Sequence, residues 1–177
     1  NGACADSDTE AIDVDAAPDP TIDPVSDLCE DEAAITLTAA TAGGTWSGTG
    51  VSGDQFDPTT AGPGDHIITY DVTNGACTAS DNITIHVDSI VDATIDPQGP
   101  FCESDAAITL TAADNGGTWS GPGVSGDSFD PATAGAGSHT ITYNITNGAC
   151  ADSDTEVIDV DAAPDPTIDP VSDLCED

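Results

Sequence analysis

The sequence predicts an all-β chain of tandem antiparallel β-sandwiches, and three observations carry that reading. Asn-Gly-Ala-Cys recurs at Asn1, Asn74 and Asn147, a fixed period of 73 residues. Apolar and polar residues alternate along each candidate strand, the period of a sheet with one buried face. Gly, Pro, Asn and Asp separate these runs, and no segment combines helical periodicity with helix-forming residues. A fixed period decides architecture before any local assignment.

The elements align between repeats without gaps. Ala33–Ala40 recurs at Ala106–Ala113 as AAITLTAA, with Ile35, Leu37 and Ala39 alternating with Thr36 and Thr38. GGTWSG at Gly43 recurs at Gly116, and Phe-Asp-Pro at Phe56 recurs at Phe129. Ile68, Tyr70 and Val72 alternate with Thr69 and Asp71, as do Ile141, Tyr143 and Ile145 in the second copy. Asn74-Gly75 then signals a hairpin, on the expectation that both turn residues adopt positive φ. The last strand, Ala76–Asp88, buries Ile83, Ile85 and Val87. At about 3.3 Å per residue it spans roughly 40 Å, an estimate of domain length. Short strands bounded by turns in so small a repeat give an immunoglobulin-like sandwich. Trp46 and Trp119 are expected in its core, with a surface stacking role for sugars as the alternative.

Residues 1–16 read as the last strand of a preceding repeat, 17–89 and 90–162 as two repeats, and 163–177 as the start of a following one. The chain is expected to be a window on a longer array. Residues 1–31 and 147–177 are identical except that Val157 replaces Ala11, at an offset of 146. The linker between them differs, so the array is a two-domain super-repeat with alternating linkers.

The chain has no Lys or Arg against 34 Asp plus Glu. Side-chain salt bridges therefore need a protonated His, and the carboxylates repel one another. Nothing neutralises phosphates, which excludes nucleic acid. No apolar run is long enough to span a bilayer, so no membrane insertion is expected. One Trp per repeat, regular Cys and alternating strands argue against an acidic disordered tail.

Dissolved cations are the compensating charges, and Ca²⁺ suits oxygen-only ligands. Alternate strand positions share a face, so the junction carboxylates are the candidate ligands. They are Asp13, Asp15, Asp19, Asp23, Asp88, Asp92, Asp96, Asp159, Asp161, Asp165 and Asp169. The same composition also fits a solvated acidic surface.

Six cysteines point to an oxidising, extracellular setting. They fall at 4, 29, 77, 102, 150 and 175. Two pairings respect the repeat. Cys29–Cys77 with Cys102–Cys150 staples each domain to itself, which suits a domain too small for a large core. Cys4–Cys29, Cys77–Cys102 and Cys150–Cys175 clamp the linkers instead. The choice turns on whether the segment leading to Cys29 crosses only one end of the domain or runs its full length. Catalysis finds no motif: GxSxG and HExxH are absent, and His66, His139 and His86 read as strand-edge polar residues.

The run from ITLTAA through GGTWSGTGVSGDQFDPTTAG to HIITYDVTNGAC resembles the tandem Ig-like (PKD-like) repeats of giant Bacteroidota surface proteins. The resemblance covers essentially the whole chain. It implies an extracellular β-sandwich with intradomain Cys pairs, in gliding adhesins, grappling-hook filaments or spacers of exported enzymes. The expected function is a non-enzymatic structural segment giving mechanical reach and attachment. Its expected partners are neighbouring repeats, other copies in a filament, and prey, substrate or cell-surface glycans. A glycan-binding array and a spacer in a secreted enzyme are the alternatives.

Overall fold

The structure is a computed structural model that describes residues 8–164 and 166. It divides into two compact units, Asn1–Ile90 with Gly148–Cys150, and Val91–Asn147 with Ala151–Asp177.

The first unit contains β1 (Leu28–Cys29), β2 (Ile35–Thr36), β3 (Thr45–Ser47), β4 (Val51–Ser52), β5 (Gln55–Phe56), α1 (Pro58–Ala61), β6 (Gly64–Asn74) and β7 (Cys77–Asp88). Its strands form two sheets, ordered β1-β7-β6-β3 and β2-β5-β4. The β6–β7 hairpin is the longest feature, with eleven antiparallel register pairs from Gly64↔Val87 to Asn74↔Cys77. Leu28, Leu37, Phe56, Ile68, Ile85 and Val87 make one buried cluster, drawing on both sheets. Ile22, Tyr70 and Val72 make a second. The alternating run in β7 therefore does what its period requires: Ile85 and Val87 turn inward and the residues between them face out.

The second unit repeats the plan with β8 (Phe101–Cys102), β9 (Ile108–Thr109), β10 (Thr118–Ser120), β11 (Val124–Ser125), β12 (Ser128–Phe129), α2 (Pro131–Ala134), β13 (Gly137–Asn147) and β14 (Cys150–Asp161). Its sheets are ordered β10-β13-β14-β8 and β11-β12-β9.

Four features depart from the sequence reading. The pairing is not wholly antiparallel: β1 runs parallel to β7, Leu28↔Val87 and Cys29↔Asp88, and β8 runs parallel to β14. Each repeat also has one helical turn. Asp57 caps α1 by accepting from Thr59 N at 3.1 Å and from Thr60 Oγ1 at 2.6 Å, and Pro58 supplies the fixed φ of the first position. The hairpin forms, but its central residues are Gly75 and Ala76, and only Gly75 takes positive φ (57°). Residues 8–16 form no strand, although 8–15 match 154–161 of β14 at all but one position. Ile158 and Val160 are 1% and 4% exposed in β14, whereas Ile12 and Val14 are 85% and 88% exposed. A strand exists through its ladder and covered face, and residues 8–16 have neither.

Tyr70 pins the turn from Thr41 to Gly44 that leads into β3. Its ring is buried, its hydroxyl accepts from Gly44 N at 2.8 Å and donates to Thr41 O at 2.7 Å. Gly44 is obligatory there, since a Cβ would strike the Tyr70 ring and Asp71 O. Tyr143 makes the same two bonds to Gly117 N and Asp114 O. Replacing Tyr70 by Phe leaves two backbone groups without a partner, a loss of about 1–3 kcal/mol. For a domain of this size the melting temperature of Y70F falls by at least about 4 °C; an unchanged melting curve by circular dichroism contradicts this role.

Candidate functional site

The chemistry of this chain concentrates where β7 ends. The segment before β1 runs the full length of the domain. Ile22 bridges Ala39 and the chain reaches β1 beside Val87 and Asp88. Cys29 thus lies at the end of β7 opposite Cys77. Eleven residues of extended strand separate the two ends, about 36 Å, and a disulfide needs Cα atoms within about 7 Å. Cys29–Cys77 is therefore excluded.

Cys29 bonds Cys150 instead, with Cα atoms 4.8 Å apart across 121 residues of sequence. This pairing overturns both sequence schemes. It consumes the partners required by Cys102–Cys150, Cys4–Cys29 and Cys150–Cys175, and it leaves Cys77 and Cys102 as free thiols among the described residues, so Cys77–Cys102 is not formed. Cys4 and Cys175 lie outside the described residues. On the chain-entropy account, closing a loop this long stabilises by about 5 kcal/mol.

Asp88 organises the seat of the disulfide. Its Oδ2 accepts from Ala149 N at 2.7 Å, its carbonyl accepts from Glu30 N at 3.0 Å, and Cys150 Sγ lies 3.4 Å from the same carbonyl oxygen. Gly148, with φ 55°, admits this approach, because a Cβ there would collide with the Asp88 carboxylate. His86 stands on the same strand face two residues earlier. Its Nδ1 is 2.6 Å from Asp65 Oδ1 and its Nε2 is 3.4 Å from Asp88 Oδ1.

The hydrogen bond to Asp65 raises the His86 pKa above its ordinary 6.5, against an opposing effect of burial, and the charges of Asp65, Asp88 and Asp27 add to it. Asp13 and Asp159 occupy the equivalent positions one period away, so a titrating imidazole marks only this junction.

Most of the proposed calcium ligands hold local hydrogen bonds. Asp15 accepts from Ala76 N at 2.9 Å. Asp19 accepts from Thr21 N at 3.1 Å and Thr21 Oγ1 at 2.6 Å, and the hydroxyl bond, then the backbone bond, holds its pKa below 3.8. Asp92 does the same with Thr94. Asp23 accepts from Thr38 Oγ1 at 2.5 Å, and Asp96 from Thr111 Oγ1 at 2.7 Å. Asp159 accepts from Ser138 Oγ at 2.5 Å. Asp161 pairs with Cys102 through its backbone. Asp13 is exposed, and Asp165 and Asp169 lie outside the described residues. Among the described residues, one group of three His, Cys or carboxylate ligand atoms lies within 4.8 Å, that of Cys29, Asp31 and Cys150. Two of its three sulfur and oxygen donors are joined in the disulfide.

The remaining candidates are accounted for by packing. His66 Nε2 donates to Gly62 O at 2.8 Å and His139 Nε2 to Gly135 O at 2.7 Å. Trp46 is half-buried, its ring centroid 4.3 Å from that of Tyr70. Beside it runs an open groove of about 600 Å³ lined by Thr36, Thr38, Gly43, Gly44 and Tyr70, repeated at about 490 Å³ around Trp119.

Sequence reasoning missed three polar contacts that secure the segment ahead of each first strand. Asp81 Oδ2 accepts from Ile22 N at 3.1 Å, and Asp154 from Ile95 N at 3.0 Å. Asp152 accepts from Ala93 N at 2.8 Å. The equivalent of Ala93 is Pro20, which has no N–H, and the equivalent of Asp152 is Ala79. That paired change was readable in the alignment of the repeats.

No known protein family and no curated protein matches the sequence. Among solved structures the chain is similar to endo-fucoidan hydrolase MfFcnA4 from glycoside hydrolase family 107 and a point variant of it. Identity is 14% for both, over 83% of this chain and 28% of theirs, at TM-scores of 0.24 and 0.25. The chain thus spans little more than a quarter of those hydrolases, and likeness at this level carries nothing about its activity. Among the described residues no helix is long and apolar enough to cross a membrane.

The His86 pair gives a pH test. A pKa raised on folding contributes stability that is fully present below 6.5 and is lost as pH rises through the folded value. In an NMR titration His86 is expected to titrate above 6.5, and Asp65→Asn to bring it down toward 6.5. A midpoint at or below 6.5 in the unsubstituted chain contradicts the assignment.

Proposed function

We propose that this chain is a structural segment of an extracellular tandem-repeat adhesin or filament, built of immunoglobulin-like β-sandwiches and serving mechanical reach and attachment. The observation that carries the reading is the Cys29–Cys150 disulfide, which joins a strand of one sequence repeat to the hairpin tip of the next. A domain that must work alone gains most from a disulfide within itself. One that works under tension gains from a covalent tie to its neighbour. The 73-residue period supports the same reading, because similar repeats that contact their neighbours extend as a quasi-one-dimensional array.

The absence of Lys and Arg suits a chain that must stay extended and avoid sticking to its own copies. Calcium enters this reading as a divalent cation that offsets the repulsion among 34 carboxylates. A disulfide suits an oxidising environment and supports the extracellular setting of this proposal.

Electron microscopy of the native array tests the reading. Thin extended fibres are expected, retained in chelator at constant ionic strength. Compact isolated particles in the presence and absence of chelator contradict it.

A further inference from the structure

Among the described residues Cys77 and Cys102 have no partner, yet each is the repeat equivalent of one half of the Cys29–Cys150 bond. Cys102 follows Cys29 by the 73-residue period, and Cys150 follows Cys77 by the same period. The surroundings repeat as well as the sequence. At the hairpin tip, Asp15 Oδ2 accepts from Ala76 N at 2.9 Å, as Asp88 accepts from Ala149 N at 2.7 Å. The Cys77 thiol lies 3.7 Å from Asp15 O, as Cys150 Sγ lies 3.4 Å from Asp88 O. Asn74 Nδ2 adds a bond to Ala16 O at 2.8 Å. At the strand end, Cys102 pairs with Asp161 in parallel as Cys29 pairs with Asp88, and Glu103 N donates to Asp161 O at 2.9 Å as Glu30 N does to Asp88 O at 3.0 Å. One property differs. Cys29 and Cys150 are buried, whereas Cys77 is half-buried and Cys102 exposed.

Resting on the proposed array, we infer that the Cys29–Cys150 bond is one rung of a continuous disulfide ladder. Cys102 bonds the hairpin-tip cysteine 121 residues after it, and Cys77 the strand-end cysteine 121 residues before it. Each rung forms by loss of two thiol protons and two electrons, which pass to a disulfide oxidant, a small-molecule or protein disulfide that becomes two thiols.

The spacing of the cysteines makes this ladder a double rope. A rung ends at Cys150, and the next strand-end cysteine ahead is Cys175, 25 residues on. Load therefore crosses a rung, traverses 25 residues and crosses the next rung. The stretch from Cys77 to Cys102 belongs to a second path of the same kind, offset by one repeat. One path threads only the linkers ending in Ser-Asp-Leu-Cys, and the other only those ending in Pro-Phe-Cys-Glu. The alternation at 146 residues is then the alternation of two covalent load paths. The near-identity of 1–31 and 147–177 follows, because both are segments of one path.

Force spectroscopy on the oxidised native array reads this directly. With both paths intact, each 146 residues extend to about 90 Å at full stretch, since only 25 residues lie in the load path at about 3.6 Å each. Intradomain pairs would give about 180 Å and linker clamps about 350 Å, by the same residue length, and either value overturns the ladder.

Two further readouts isolate the second path. An array with Ser in place of every Ser-Asp-Leu-Cys cysteine keeps the length of about 90 Å, and a several-fold longer extension overturns it. Alkylation of the unreduced native array leaves the Cys102 peptide unlabelled, which needs no variant to fold; a labelled Cys102 peptide overturns the ladder. If Cys29–Cys150 is present and Cys102 is labelled, the ladder fails and the proposed function stands. If Cys29–Cys150 is itself missing, both fail.

Discussion

The β6–β7 hairpin sets the terms for everything else. Its eleven register pairs hold the tip, where Cys77 sits, and the far end, where Cys29 joins the edge, about 36 Å apart. Two cysteines in one repeat are thereby kept from meeting. The hairpin is long because alternating Ile and Val residues cover a continuous buried stripe from Ile68 and Val72 to Ile85 and Val87. Shortening it would lose core contacts and bring the ends together at once. The parallel pairing of β1 with β7 then carries Cys29 to the edge, out of reach of Cys77 and bonded to Cys150 of the next sequence repeat.

A chain without cationic side chains has to satisfy its polar groups differently. Here aspartate does the work that salt bridges share elsewhere. Asp57 and Asp130 cap helical turns, Asp19 and Asp92 close turns with threonine, and Asp81, Asp152 and Asp154 take up backbone N–H groups of the segments that enter each domain. Each such bond gives a carboxylate a local structural role. Among the described residues no buried side-chain polar atom lacks a partner.

Much of the fold was legible because it is local. The alternation in Ile68–Val72 and Ile83–Val87 and the turn at Gly75 depend on residues close in sequence; the helical turns capped by Asp57 and Asp130 are also local, but the strand reading passed over them. The disulfide was not legible, because it depends on how far the segment from Ile22 to Leu28 travels along the domain. Composition cannot show that, and only the pairing of Leu28 with Val87 does. Residues 8–15 and 154–161 make the limit plain: nearly one sequence, a strand in one place and none in the other. Alternation gives a face something to bury, and a neighbouring strand decides whether it is buried. The seat of the disulfide was half-visible, since Asp88 and Gly148 recur with the period, but their contact is non-local.

The central claim is that Cys29 pairs across repeats, and non-reducing digestion before Asp residues measures it. The segment 27–30, which carries Cys29, is expected in disulfide linkage with 130–151, which carries Cys150. Linkage of 27–30 to 71–80, which carries Cys77, would contradict the account, because it requires the two ends of one hairpin to touch.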